Sequence, residues 1–177
     1  MKQIYLCGFM GCGKSTIGKA LAKQLSIPYY DLDQLIEEKA GMPIPEIFSR
    51  FGEEHFRLLE REVLLASGQR KPAVIATGGG IFTNPENGRL IRSLGTVVFL
   101  NTPFSYCYQR IKGDASRPVA VSKSREELYQ LYQGRVSRYR EFSHLSVICR
   151  GSIKQSVQEV RTALEKAENK KVFISNN

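Results

Sequence analysis

The chain of 177 residues has the length of one domain, and its 42% hydrophobic and 24% charged residues form an ordinary globular composition that excludes fibrous, coiled-coil and low-complexity proteins. Its net charge is +9, with the basic excess after residue 60. Such a charge is typical of proteins that bind a nucleic acid, a membrane surface or a small anionic ligand, but it is also found on basic surfaces that are only solvated. Because no run of about 20 apolar residues occurs, the sequence predicts no membrane span.

Short apolar runs alternate along the chain with longer amphipathic segments. Four runs have the length and β-branched content of buried strands, and a short second strand precedes Asp31; the four are residues 4–7, 74–76, 96–100 and 145–148. Apolar residues at helical spacing predict three helices, over 15–25, 54–66 and about 152–167. Such alternation predicts an α/β fold, a parallel sheet with helices on both faces.

Capping residues predict where several helices begin. Thr102–Pro103 is expected to be an N-cap followed by proline at the first helical position. Ser124–Glu127 and Ser152–Gln155 have the spacing of capping boxes. The tail from Lys170 onward is expected to fray.

Two segments do not fit the alternating pattern. Residues 33–60 are predicted to be a helical excursion between the second and third strands, broken at Pro43 and Pro45. Residues 112–123 are polar and contain Gly113 and a proline, which predicts a mobile surface loop.

A phosphate-binding motif follows the first predicted strand. Residues 8–15, GFMGCGKS, match G-x-x-x-x-G-K-[ST] directly before a predicted helix. The glycines let backbone N–H groups surround a phosphate, and the start of the helix adds partial positive charge. Lys14 reaches the β- and γ-phosphates and Ser15 can ligate Mg²⁺, so the sequence predicts nucleotide binding.

The four cysteines form no metal or disulfide pattern. Cys7, Cys12, Cys107 and Cys149 lie far apart without a CxxC pair, and only two histidines accompany them. Cys12, inside the phosphate loop, is either a thiol activated by the helix start or a small inward-facing residue, and we favour the second. Unpaired thiols and the lack of a signal peptide at residues 1–13 predict a cytoplasmic protein.

The carboxylate that would assist a metal ion is not where many P-loop proteins have it. The fourth strand ends in Asn101 and not in aspartate. Asp31 and Asp33 follow the second strand, and the two-residue period of a strand would put both side chains on one face. One carboxylate would contact the coordination shell of the metal ion, and the other would contact the hydroxyl that accepts the phosphoryl group. For Asp33 considered alone, a role as a helix N-cap is the simpler explanation.

Three further features have both a functional and an ordinary explanation. The turn at residues 77–80, TGGG, admits a ligand close to the backbone or is only a tight turn. Arg57 binds an anion or forms surface salt bridges with Glu53, Glu54 or Glu60. Arg135, placed at a helix end after the loop, binds an anion or is solvent-exposed.

Together these features resemble the shikimate kinase family. The carrying segments, in order, are GFMGCGKST (8–16), DLD (31–33), GMPIPEIF (41–48), FGEEHFRLLE (51–60), ATGGG (76–80), SRP (116–118) and RxxxY (135–139). The resemblance implies one domain over residues 1–177, a three-layer α/β P-loop kinase fold with a five-stranded parallel sheet. It also implies a helical substrate-binding insertion at about 33–60, a lid at about 112–123, and a monomer.

The resemblance further implies ATP- and Mg²⁺-dependent phosphorylation of the 3-hydroxyl of shikimate, in chorismate and aromatic amino-acid synthesis. It implies catalytic roles for Lys14, Asp33 and Arg117, and metal binding by Ser15 and, through water, by Asp31. Nucleotide contacts are implied for Gly8, Gly11, Cys12, Gly13, Lys14, Ser15, Thr16, Arg117 and Arg150. Shikimate contacts are implied for Asp33, Arg57, Gly79, Gly80 and Arg135.

Three other functions were weighed against this one. A gluconate kinase would share the fold and the phosphate loop but not the spacing of Asp33, Arg57 and Arg135. A nucleic-acid-binding P-loop protein would account for the charge, but no known nucleic-acid module is present, so neither nucleic acid nor membrane is expected as a partner. A non-catalytic binder does not explain why all these residues are present.

Overall fold

Five parallel strands form the centre of the fold, in a computed structural model that describes residues 2–114 and 118–175. The sheet has the order β2-β3-β1-β4-β5. Its strands are β1 (Gln3–Cys7), β2 (Tyr29–Asp31), β3 (Val74–Ala76), β4 (Gly95–Asn101) and β5 (Leu145–Ile148). This arrangement confirms the predicted α/β fold with a five-stranded parallel sheet.

Helices connect the strands and cover the sheet. They are α1 (Lys14–Leu25), α2 (Leu32–Ala40), α3 (Ile44–Gly68), α4 (Pro85–Leu94), α5 (Phe104–Ile111), α6 (Pro118–Val121), α7 (Arg125–Phe142) and α8 (Ile153–Ser175). A 3-10 turn, Ile81–Thr83, lies between β3 and α4. Within the described ranges, no helix combines the length and the apolar composition that crossing a membrane requires.

The strand order places a crevice beyond the carboxyl end of β1. All five residues of β1 are buried, with β3 paired on one side and β4 on the other. In open parallel sheets, ligands bind outside the carboxyl ends of the strands, where the strand order changes direction. The segments that follow β1, β2, β3 and β5 therefore meet at one edge of the sheet.

The predicted strands are confirmed, and most helix starts are too. The capping boxes at Ser124–Glu127 and Ser152–Gln155 form, each with both reciprocal hydrogen bonds. The prediction for Thr102 is wrong by one residue: Pro103 is the N-cap, and the Thr102 hydroxyl donates instead to the Cys12 carbonyl at 3.2 Å.

Three helices differ from the sequence prediction. Helix α6 lies within residues 112–123, which were predicted to be a loop. Helix α4 was not predicted, although Asn84 caps it and Pro85 begins it, which is a recognisable start signal. Helix α8 continues to Ser175, beyond the predicted end at about residue 167.

The excursion at 33–60 consists of helix α2 and the first part of helix α3. Pro43 is the N-cap of α3 and Pro45 lies in its first turn, where proline is tolerated. The interruption inside α3 is at Gly52, which has φ 79° and ψ 178°. The helix predicted to begin at Glu54 is therefore the second part of α3.

Candidate active site

The phosphate loop joins β1 to α1 in a conformation that depends on glycine. Gly11 has φ 77°, and a Cβ there would lie 2.8 Å from the Cys107 carbonyl oxygen. Gly13, also left-handed, is the N-cap of α1, and no side chain caps the first turn. The N–H groups that open α1 are therefore available to an anion.

Lys14 lies folded back over this loop. Its Nζ donates to the Gly8 carbonyl at 2.8 Å and to the Phe9 carbonyl at 3.3 Å. Cys12, a residue of the loop itself, is buried, and its Sγ lies 3.9 Å from the Lys14 Nζ. The buried Sγ agrees with the inward-facing position that we favoured for Cys12. The Lys14 ammonium is held by backbone carbonyls of the loop, beside the predicted phosphate site.

A cavity of about 560 Å³ opens over the loop. Its walls come from the phosphate loop, the ends of β2 and β3, and helices α5, α7 and α8. The lining residues are Met10, Gly11, Cys12, Gly13, Lys14, Ser15, Thr16, Ile17, Asp31, Asp33, Thr77, Gly79, Arg110, Arg135, Cys149, Gly151, Ile153 and Ser156. The cavity thus brings together most of the residues that the sequence singled out.

Asp31 and Asp33 both reach the cavity, but not by strand alternation. Strand β2 ends at Asp31, which is also the N-cap of α2, and its Oδ1 accepts from the Asp33 N–H at 3.1 Å. The Tyr29 hydroxyl donates to the other carboxylate oxygen at 3.3 Å. The two-residue period and the N-cap role for Asp33 are therefore wrong: Asp31 is the cap, and Asp33 lies in the first turn of the helix.

Asp33 lines the cavity and is exposed to it. A Cβ at Gly78 would lie 2.6 Å from Asp33 Oδ1, so only glycine fits there without displacing this carboxylate. Loss of hydration at the cavity wall and the negative charge of Asp31 together raise the pKa of Asp33 to about 6, although the nearby Lys14 acts in the opposite direction. A carboxylate with a pKa this close to neutral can accept a proton.

Arg135 lies within helix α7, whereas the sequence analysis placed it at a helix end. It is partly buried, which argues against the alternative that it is simply solvent-exposed. Its guanidinium packs 5.9 Å from the Phe9 ring centroid. A Cβ at Gly79 would lie 3.0 Å from Arg135 Nη1. The Nε is buried and has no hydrogen-bond partner among the described residues. Because Arg135 also lines the cavity, its guanidinium is placed to bind an anion there.

Arg57 is not among the described residues that line the cavity. Its Nη2 donates to Glu53 and its Nη1 to Glu60, both at 3.0 Å. Glu60 is only 4% exposed and also accepts from Asn87 Nδ2 at 3.1 Å. The salt bridges that the sequence offered as the ordinary explanation of Arg57 are thus present with Glu53 and Glu60.

Three other residues singled out in the sequence do not line the cavity: Gly8, Gly80 and Arg150. Arg150 is exposed, although Cys149 and Gly151 on either side of it line the wall. Arg117 lies outside the described residues, as does Ser116 of the same motif.

Several residues that line the cavity were not predicted from the sequence. Arg110, on α5, donates from Nη1 to the Gly11 carbonyl at 3.0 Å. Gly151, Ile153 and Ser156 contribute to the lining from the start of α8. No local motif marks these residues, because they reach the phosphate loop through contacts between distant segments.

The described cysteines are all free and buried. Burial raises the pKa of Cys107 to about 12 and that of Cys149 to about 11. No group of three or more His, Cys, Asp or Glu side chains in the described part of the chain is placed to hold a metal ion.

Known proteins resemble this chain over nearly all its length. A family model described as shikimate kinase matches residues 10–165. A shikimate kinase from Sulfurihydrogenibium sp. is 39% identical over 166 residues, covering 94% of this chain and 99% of that relative. A solved shikimate kinase from Acinetobacter baumannii, in complex with shikimate, superposes with TM-score 0.86 at 36% identity, covering 94% of each chain.

A gluconokinase structure shares the fold but little sequence. The protein from Sinorhizobium meliloti superposes with TM-score 0.65 at 18% identity, covering 98% of this chain and 97% of its own. Identity this low shows a common fold alone. Given the family model and the identity to shikimate kinases, the chain belongs to the shikimate kinase family, the enzymes that phosphorylate shikimate with ATP.

Proposed function

We propose that the cavity binds ATP over the phosphate loop and shikimate between Asp33 and Arg135, and that it transfers the γ-phosphoryl group to the 3-hydroxyl. One observation carries this proposal. A carboxylate with a raised pKa, and a guanidinium whose Nε has no partner among the residues that the structure describes, approach neighbouring glycines of one turn in the cavity above Lys14. Shikimate is a carboxylate with several hydroxyls, which fits one basic and one acidic contact.

Lys14 and the loop would stabilise the charge that spreads over the transferring phosphoryl group. The N–H groups at the start of α1 hold the phosphates, and Lys14 Nζ exchanges the Gly8 and Phe9 carbonyls for phosphate oxygens. Phosphoryl transfer needs positioning and charge stabilisation more than covalent chemistry. The lysine therefore acts mostly in the transition state.

Ser15 and Asp31 fit a magnesium ion. Both line the cavity beside the phosphate loop, and both offer the oxygen ligands that Mg²⁺ takes alongside substrate phosphates and water. We propose Ser15 as a direct ligand and Asp31 as a ligand through water. When bound, the ion would neutralise phosphate charge.

Asp33 would orient the 3-hydroxyl of shikimate and accept its proton. It lines the same cavity as Arg135, and the two side chains lie against successive glycines of the turn after β3. Arg135 would hold the carboxylate of shikimate, since a guanidinium matches a carboxylate with two parallel hydrogen bonds. Arg57 would join it by leaving Glu53 while Glu60 keeps its orientation.

Other segments complete the proposed site. We propose residues 33–60 as the substrate-binding insertion, residues 112–123 as a lid that brings Arg117 to the phosphates, and residues 1–177 as one domain. Arg110 and the start of α8 would hold the adenine, because a guanidinium plane stacks on aromatic rings. Gly8 and Arg150 would contact the nucleotide and Gly80 the shikimate.

Replacing Arg57 with Ala is expected to raise the KM for shikimate about 10- to 100-fold, the cost of a charged hydrogen bond, with the KM for ATP within about twofold. Steady-state kinetics with each substrate varied would measure both. Arg61→Ala is the matched control, since Arg61 lies on the same helix and pairs with the exposed Glu86 at 3.6 Å. An equal loss for both substrates would remove Arg57 from the shikimate site.

The pH dependence of kcat/KM for shikimate should follow Asp33. Its pKa of about 6 lies above the ordinary value, so the active ionised form is lost as pH falls through 6. Below that value kcat/KM should fall about tenfold per pH unit. Initial rates between pH 5 and 8 would show the slope, and a flat profile down to pH 5 would contradict the assignment of Asp33 as the base.

The product identifies the reaction. Phosphorus NMR after incubation with MgATP and shikimate should show one new monoester on the 3-hydroxyl, formed in step with ADP. Shikimate lacking that hydroxyl should give no monoester. Phosphorylation at another position would contradict the proposed orientation between Asp33 and Arg135.

A further inference from the structure

Tyr139 is fully buried and holds the turn that follows strand β3. Its hydroxyl donates to the Gly79 carbonyl at 2.7 Å. Its ring packs against Phe82 and Phe99, with centroids 5.8 and 5.4 Å away. Burial raises the pKa of Tyr139, so this hydroxyl remains a donor at every physiological pH.

Helix α7 contacts this turn at two points. Arg135 lies four residues before Tyr139, so the two side chains lie on the same face of α7. A Cβ at Gly79 would lie 3.0 Å from Arg135 Nη1 and 3.7 Å from the Tyr139 hydroxyl. Gly79 also lines the cavity. The Gly79 peptide is therefore held by helix α7 through Tyr139, and the same glycine lines the cavity.

A run of three glycines has no side chains that fix its conformation. Gly78, Gly79 and Gly80 can each adopt many backbone angles. The carbonyls of Gly78 and Gly80 accept from the 3-10 turn, at 3.4 Å from Ile81 N and 3.0 Å from Thr83 N. The Gly79 carbonyl accepts from Tyr139, which comes from a segment 60 residues away.

We propose that Tyr139 is a positioning residue for shikimate: it fixes the 78–80 turn against helix α7. The turn then keeps its spacing to Asp33 on one side and to Arg135 on the other. This inference rests on the proposed function, since it concerns the same acceptor site. Without the hydroxyl, the ring still fills its place in the core, but the Gly79 peptide is free to rotate.

Tyr139→Phe tests the inference, because it removes one hydroxyl and keeps the ring. Losing a buried hydrogen bond is expected to raise the KM for shikimate about five- to tenfold, with the KM for ATP within about twofold. Tyr5→Phe is the matched control. Tyr5 is also fully buried, and its hydroxyl bonds to Ser67 Oγ at 2.9 Å, away from the cavity lining.

The two variants should lose similar thermal stability, but only Tyr139→Phe should change the KM for shikimate. An unchanged KM for shikimate would overturn the inference, as would an equal rise for both substrates or the same shift in Tyr5→Phe. In all of these results the wild-type enzyme still uses shikimate. A wild-type enzyme that binds ATP but ignores shikimate would overturn the proposed function, and the inference with it.

Discussion

Replacing Asp33 with Asn is expected to lower kcat with shikimate about 10²- to 10⁴-fold, the range for loss of a general base. The amide keeps the size of the side chain but cannot accept the proton. ATP binding should stay within about threefold, because the proposed phosphate site lies over the loop and α1. Rapid-quench or steady-state kinetics would give kcat, and a nucleotide titration would give the affinity.

A matched control and a stability readout sharpen this test. Glu38→Gln neutralises an exposed carboxylate on the same helix and should leave kcat unchanged. Because its pKa is higher in the folded than in the unfolded protein, ionised Asp33 destabilises the folded state. This destabilisation is absent at a pH below the pKa of Asp33 in the unfolded chain, and it is complete once the pH has risen through about 6. Asp33→Asn should therefore raise Tm at pH 7 and leave it unchanged at pH 3. Wild-type turnover in Asp33→Asn would remove this residue from the chemistry.

Replacing Lys14 with Met is expected to lower kcat about 10²- to 10³-fold, the loss seen when one donor to transition-state charge is removed. The apolar chain of methionine keeps the packing against the loop but leaves the phosphoryl charge without its ammonium. The Gly8 and Phe9 carbonyls, which now accept from Lys14 Nζ, remain open to water. Single-turnover kinetics with saturating ATP would isolate this step.

Lys23→Met removes the same charge from the last turn of the same helix and should retain full turnover. If Lys14→Met loses only ATP affinity, with kcat intact at saturation, then the lysine binds the ground state and the transition state equally. That result would contradict its assignment to the transition state.

The sequence predicted the features that depend on neighbouring residues. The phosphate loop is one short segment with a strand before it and a helix after it, so its spacing already fixes its function. Asp31 and Asp33 were assigned to the right place for the wrong reason. The strand ends two residues earlier than alternation requires, and the first turn of α2 brings both carboxylates to the cavity.

Residues that depend on distant contacts were less predictable. Arg57 and Arg135 are both arginines on helices, but two glutamates hold the first. The second has a buried Nε without a partner in the described part of the chain. Arg110 reaches the Gly11 carbonyl across 99 residues. These differences arise from packing of separate elements, and no local pattern in one sequence encodes them.

The proposed function depends above all on the choice of shikimate as the phosphoryl acceptor. We would measure ADP release from MgATP in a coupled assay, with shikimate, quinate or gluconate as the acceptor. We expect release that depends strongly on shikimate, with far less release for quinate and gluconate. Release that ignores shikimate but follows gluconate would contradict the proposed function, because Asp33 and Arg135 would then serve a different acid.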